Sequence, residues 1–189
     1  VASKLSKYHN KPKFDIEILP SNIILNDSAW TIGQSTITYA LADHVMDIDN
    51  FSLSTDYQLI TADGTASKSA TDSIDVVLNN INLDYLLSYT EASKAISVMG
   101  PVTGKAKVYS VFSEPMLEAQ AYIPNGGLNG VYLGDVTAEA TLDRGNNSIL
   151  LYGQIVDSTQ HMVAEVNGKV IPATKWWGLD ITCDSVDIN

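Results

Sequence analysis

The sequence predicts an all-β fold: an elongated, curved meander sheet folded into a U-shaped trough, with one short helix near residues 83–96. Three observations carry that expectation. Polar and apolar residues alternate with a period of two in segment after segment, and side chains on a strand point to opposite faces with that period. The segments are joined by short Asn, Asp and Gly turn chemistry. Finally, a strand–bend–strand pattern recurs. Ile74–Asp84, IDVVLNNINLD, returns as Leu179–Asn189, LDITCDSVDIN. A shift of 105 (179 − 74) aligns Ile74 with Leu179, Asp75 with Asp180, Val76 with Ile181, Leu78 with Cys183 and Ile81 with Val186. A looser copy, FDIEILPSNIILN, occupies Phe14–Asn26, and a glycine lies upstream of each full copy, at Gly64 and Gly168. Such repeats point to a solenoid-like or extended sheet.

The chain has 189 residues, 45% of them hydrophobic and only 17% charged, enough apolar content to bury a core. Its net charge of −11 argues against nucleic acid and against direct docking on anionic lipid headgroups, both of which need basic patches. The acidity reads as a solubilising outer face. The one cysteine, Cys183, falls on an apolar strand position and is expected to be a small core residue. No apolar run approaches the roughly 18 residues of a membrane-crossing helix. The chain opens at Val1 without a visible signal peptide and stops inside a repeat copy. It is therefore expected to be an internal fragment of a longer protein.

Residues 1–13 carry Lys4, Lys7, Lys11 and Lys13 with Pro12 and predict a flexible, basic leading segment; residues 14–189 form one β repeat region. Strands are expected at Phe14–Leu19, Asn22–Leu25, Ala29–Ile32 and Thr36–Leu41. His44, Met46 and Ile48 then share a face; Phe51 and Leu53, and Tyr57, Leu59 and Thr61, continue the pattern. Leu83, Leu86, Leu87, Ala92, Ala95 and Ile96 recur near helical spacing behind Asn82, a suitable N-cap, and Gly100-Pro101 ends the helix they predict. Alternation resumes at Val102–Val108 and at Leu117, Ala119, Ala121 and Ile123. Asn125-Gly126-Gly127 reads as a break before a short strand at Leu128–Leu133. Val136, Ala138, Ala140 and Leu142 follow, then a hairpin signal at Arg144–Asn147, then Ile149, Leu151, Gly153 and Ile155. Met162, Ala164, Val166, Gly168 and Val170 face one way before Trp176-Trp177 and the final copy. A sheet this long must hide its apolar face, either as a closed barrel or as a U-shaped trough. The repeat favours the open form, which more copies can extend.

Catalytic constellations are lacking in the sequence. His9, His44 and His161 have no metal-ligand spacing. His44 with Asp43, Asp47 and Asp49 reads more simply as a turn and strand edge than as a cation site. Gly100–Lys105, GPVTGK, has three residues between its glycines instead of four, and Ala106 stands where a phosphate loop needs Ser or Thr. There is no G-x-S-x-G, and no two carboxylates stand out for glycoside chemistry. Asn26, Asn50 and Asn146 begin glycosylation sequons of a kind that arise often by chance. Trp176-Trp177 could stack on sugar, though one Trp packed inside and one shielding an edge is the simpler reading. No enzyme activity and no cofactor is expected. The apolar face is the remaining candidate: in a trough it would line a groove for acyl chains.

Trp30-Thr31-Ile32 through Tyr39, Ile48–Leu53, Asp72–Val76 through Asn80–Leu86, Gly100–Pro115 and Gly127–Asp135 together resemble the translocation and assembly module TamB family, in its Bacteroides-type members. The resemblance covers roughly Phe14–Asn189 and rests on patterned positions without an invariant motif. It implies a periplasmic β trough in a parent protein anchored in the inner membrane. It also implies phospholipid movement to the outer membrane or outer-membrane protein assembly, with an outer-membrane barrel protein as partner. The groove lining is expected at Ile74, Val76, Leu78, Leu117, Ala119, Ala121, Val136, Ala138, Ile149, Leu151, Met162, Ala164 and Val166, contacting phospholipid acyl chains. The alternative is a surface β module that binds glycan or protein through Trp176 and Trp177.

Overall fold

The computed structural model describes residues 2–8, 11–25, 27–82 and 97–184. Its strands are β1 (Ala2–Tyr8), β2 (Lys11–Ile18), β3 (Ser21–Leu25), β4 (Ser28–Ile32), β5 (Ser35–Ala40), β6 (Val45–Ser54), β7 (Leu59–Ala66) and β8 (Ser73–Asn82). They continue as β9 (Val98–Met99), β10 (Pro101–Tyr109), β11 (Met116–Leu128), β12 (Val131–Asp143), β13 (Ser148–Val156), β14 (Met162–Ile171) and β15 (Trp176–Cys183). Among the described residues they form one open antiparallel sheet in the order β1-β2-β5-β6-β7-β8-β10-β11-β12-β13-β14-β15, not closed into a barrel. The β3–β4 hairpin lies off that path, with β4 pairing to β6, and β9 pairs with β11. The helix expected at 83–96 lies outside the described residues, as does the second half of the final repeat copy.

The chain divides into two compact units: residues 1–79 with 105–117, and residues 80–104 with 118–189. In the first, the register carries one apolar row across five strands: Ile16, Ile37, Ile48, Gly64 and Ile74. Phe51, Ala62 and Val76 form a neighbouring row, and Leu53, Ile60 and Leu78 another. The opposite face carries Asp15, Thr38, Asp47 and Thr65, and it sets Asp63 directly across from Asp75. Lys107 answers Asp75 at 3.2 Å. Ile60 and Ala62, not Leu59 and Thr61, thus line the apolar side of β7.

The leading segment differs from expectation. Residues 2–8 are a strand paired along its whole length with β2, where Leu5 meets Phe14 and Lys4 meets Asp15. Asp15 accepts from Ser6 Oγ at 2.7 Å and from Lys13 Nζ at 3.0 Å. Of the lysines read as a mark of looseness, Lys4 and Lys7 lie on the outermost described strand, whereas Lys11 and Lys13 lie on β2, which pairs with β1 and β5.

Both repeat copies meet their upstream glycine in the same way. Gly64 on β7 faces Ile74, the first residue of one copy; Gly168 on β14 faces Leu179, the first residue of the other. A Cβ on Gly64 would collide with the Ser73 carbonyl oxygen, and one on Gly168 would lie 3.0 Å from the Gly178 carbonyl oxygen. Ser73 and Gly178 each immediately precede a copy. The Asn79-Asn80 bend does not interrupt β8: Asn80 takes φ 57° within the strand and donates its N–H to Thr103 Oγ1 at 3.1 Å.

Two bulges share one device. Asn50 (φ 56°) donates its N–H to Asp63 on the opposed strand at 2.9 Å; Asn125 (φ 50°) does the same to Asp135 at 2.9 Å. The bulge leaves an N–H out of the ladder, and a carboxylate from across satisfies it. Asn125-Gly126-Gly127 is therefore a bulge inside β11, and the chain reverses later. Leu128 pairs with Val131 around Asn129-Gly130, at φ 50° and 82°, the positive-φ pair of a two-residue type I′ hairpin.

Candidate functional site

The second unit builds an uninterrupted apolar face on β11–β15. Antiparallel partners share a face, and the register gives the row Ala121, Ala138, Gly153, Val166, Ile181. The next row is Ala119, Ala140, Leu151, Gly168, Leu179. Ile123, Val136, Ile155, Ala164 and Cys183 flank these on one side; Leu142, Ile149, Val170 and Trp177 flank them on the other. The other side of the same strands is polar: Tyr122, Thr137, Gln154, Glu165 and Thr182 in one row, Gln120, Glu139, Tyr152, Asn167 and Asp180 in the next. Tyr122 donates to Asp135 at 2.9 Å, and that bond holds its hydroxyl above the ordinary tyrosine pKa. Tyr152 is raised too, by desolvation first and then by the charge of Glu165.

The apolar face carries a concavity of about 340 Å³. Its centre is made of the smallest side chains, Ala119, Ala121, Ala138, Ala140 and Gly153, and its sides of Val136, Leu151, Ile155, Val166 and Leu179; Thr137, Glu139, Tyr152 and Gln154 also border it. Small residues at the centre and branched ones around them produce the depression. Ala138 is exposed there. Ligand sites run to about 300–1,000 Å³, so this hollow suits a stretch of apolar chain and not a whole phospholipid.

Of the residues expected to line a groove, Ala119, Ala121, Val136, Ala138, Leu151 and Val166 converge here. Ile149 and Ala164 lie on the same face, both buried. Ile74, Val76, Leu78 and Leu117 belong to the other unit. Met162 is on the wrong side. A bulge between Ile155 and Val156 inserts Val163, so Met162 pairs with Val156 and its sulfur lies 3.8 Å from Gln154 Nε2, on the polar face. Cys183 is exposed, not core: among the described residues β15 has a neighbour only on its β14 side, so apolar positions along it stay uncovered. Trp176 and Trp177 are 50% and 67% exposed, so neither packs inside. Ala140, Gly153, Ile155 and Leu179 complete the apolar lining; their alternation was visible, but only the register assigns them to the hollow.

The other sequence motifs supply no competing site. Gly100–Lys105 runs into the extended strand β10 instead of a phosphate-cradling loop. His44 Nδ1 contacts the Tyr39 hydroxyl at 3.1 Å, and His161 Nδ1 contacts Thr159 Oγ1 at 2.8 Å, both at the surface. Among the described residues no His, Cys, Asp or Glu side chains converge as a metal site, and no helix is long and apolar enough to cross a membrane. No protein-family model, curated protein or solved structure matches the chain.

Proposed function

We propose that the chain is a segment of a bridge-like lipid carrier of the TamB kind, whose apolar strand face shelters phospholipid acyl chains. The observation that carries this reading is the open hollow at Ala138, lined mainly by apolar residues from five strands. Apolar burial is worth about 25 cal/mol per Å², so an acyl segment laid along Ala121, Ala138, Gly153 and Val166 is held against return to water. Sliding along a uniform face changes that area little, so cargo can move without leaving shelter, and no polar or catalytic group is required. In this reading the sheet continues as a U-shaped trough within a periplasmic parent anchored in the inner membrane. The parent serves outer-membrane lipid supply or protein assembly with a barrel partner, and the acidic outer face keeps the rod soluble.

The test is photocrosslinking from Ala138, Ala121 and Leu151, with native mass spectrometry of the gently purified chain. Capture of phospholipid at these positions is expected, and none from Tyr122 on the polar face. Ala138→Glu is expected to abolish capture while leaving the strand signature of circular dichroism intact, because Ala138 is already exposed. A folded chain that captures nothing at any of the three positions overturns the reading. The exposure of Trp176 and Trp177 supports a second reading, a surface module for glycan or protein. Glycan-array binding abolished by Trp177→Ala would favour it.

A further inference from the structure

The polar face of β12–β14 carries a depression of its own, of about 330 Å³. The register builds it. Glu139 lies directly across from Tyr152 and Tyr152 across from Asn167, while Thr141 lies across from Leu150 in the next row. Leu151 and Gly168 complete the lining. Tyr152 and Leu150 are 38% and 43% exposed, so an aromatic ring and an aliphatic side chain stand uncovered on a polar surface. Their polar neighbours are held in place. Gln120 Nε2 donates to Glu139 Oε1 at 3.4 Å, Asn167 Nδ2 donates to Glu165 Oε1 at 2.7 Å, and the Tyr152 hydroxyl donates to Glu165 Oε2 at 3.5 Å. Glu139 Oε2, the Thr141 hydroxyl and Asn167 Oδ1 are left for a ligand. Among the described residues no basic side chain lines the depression; Lys169, across from Leu150, acts on Asp143 instead.

We propose that this depression binds a neutral sugar, one pyranose ring laid on Tyr152. A pyranose offers both surfaces that the site can match. One face of its ring is a patch of C–H groups, which packs on an aromatic face. Its rim is a set of hydroxyls, each able to donate and to accept. They donate to Glu139 and to Asn167 Oδ1, and Thr141 serves either way. The bond to the carboxylate is charge-assisted and the strongest of the set. An anionic sugar or a phosphate is refused, because Glu139 repels it and no base answers it. An acyl chain is refused as well, because it would strip water from Glu139 and Asn167 without replacing those hydrogen bonds. An open, shallow site of this kind binds weakly, with a Kd in the millimolar range. This inference stands apart from the lipid reading, because it uses the opposite face of the sheet. It also stands apart from Trp176 and Trp177, which do not line the depression.

Titration of the isotope-labelled chain with glucose, galactose, mannose and N-acetylglucosamine, followed by nuclear magnetic resonance, tests it. At least one of these sugars is expected to shift the amides of Glu139, Thr141, Tyr152 and Asn167 saturably, and glucuronate to shift none of them. Tyr152→Ala is expected to weaken the binding by about tenfold. Tyr152→Phe is expected to weaken it by less than about threefold, because the ring and not the hydroxyl carries the sugar. Should Tyr152→Ala lose its strand signature, magnetisation transferred from the tyrosine ring protons to the C–H protons of the bound sugar reads the same contact in the unaltered chain. Four neutral sugars without effect, shifts centred on Trp176 and Trp177, or tighter binding of glucuronate overturns the proposal. So does a Tyr152→Ala variant that binds as well as the unaltered chain, or an absence of that magnetisation transfer. Phospholipid capture from Ala138 is read on the other face, so either reading can fail without the other.

Discussion

Gly64 and Gly168 occupy equivalent places in the two repeat copies but not equivalent conformations. Gly64 sits at φ +121°, and the obstacle to a side chain there is backbone, the Ser73 carbonyl. At Gly168 the nearest obstacle is the far end of the Leu179 side chain, which can turn aside. Alanine stiffens the unfolded chain equally at both, a gain of about 0.4–1 kcal/mol. The native-state penalty differs. Gly64→Ala is expected to lower stability by about 2 kcal/mol, backbone strain included, and Gly168→Ala by less than about 1 kcal/mol. Urea denaturation of both variants checks this; equal losses would mean that the Gly64 conformation is not held in solution. The glycines were legible as punctuation upstream of each copy. Their facing partners Ile74 and Leu179 were not, because a register is a long-range property that spacing along the chain does not encode.

Individual strands were legible because alternation is local, while edges and bulges were not. Met162 lies at even spacing from Ala164, yet the extra residue at Val163 turns it to the polar face; a period-two pattern has no means of signalling an inserted residue. Cys183 lies at even spacing from Ile181 but on a strand with one described neighbour, and burial depends on neighbours. The hairpin at Asn129-Gly130 carried its own signal, Asn-Gly between apolar runs, and was eclipsed by the adjacent Asn125-Gly126-Gly127. The connection between β13 and β14 is organised by a single side chain. Asp157 Oδ1 accepts from the Thr159 N–H at 2.7 Å, the Thr159 hydroxyl at 2.7 Å and the His161 N–H at 3.0 Å. Asp157→Ala removes the common acceptor and leaves those donors to water. Hydrogen exchange is expected to speed at residues 158–161 while β13 and β14 keep their protection. Unchanged exchange in that turn would show that the carboxylate does not organise it.

At the scale of the whole chain the charge acts in two opposing ways. A net charge of −11, with Asp63 directly across from Asp75, makes the folded state repel itself. Salt screens such exposed charges over a Debye length of about 10 Å at 0.1 M, so the thermal midpoint at pH 7 is expected to rise with added sodium chloride. Among the described residues, acid works the other way through three carboxylates whose pKa lies below the usual aspartate value. Asp15 is lowered chiefly by the Ser6 hydroxyl and next by Lys13, Asp143 by the Asn146 amide, and Asp157 by the Thr159 hydroxyl. In the unfolded chain these groups take up protons near pH 3.9. As pH falls below that value the unfolded state binds more protons than the folded one, so the folded state loses ground until its own lower pKa values are passed. The contribution is complete above pH 5 and lost as pH falls through the folded values. Thermal scans at fixed ionic strength between pH 6 and pH 2.5 are therefore expected to give a plateau and then a falling midpoint, with the fall reduced in the triple variant Asp15→Asn, Asp143→Asn, Asp157→Asn. A midpoint that rises on acidification would mean that relief of repulsion outweighs those hydrogen bonds. Acid would then stabilise the sheet by the same route as salt.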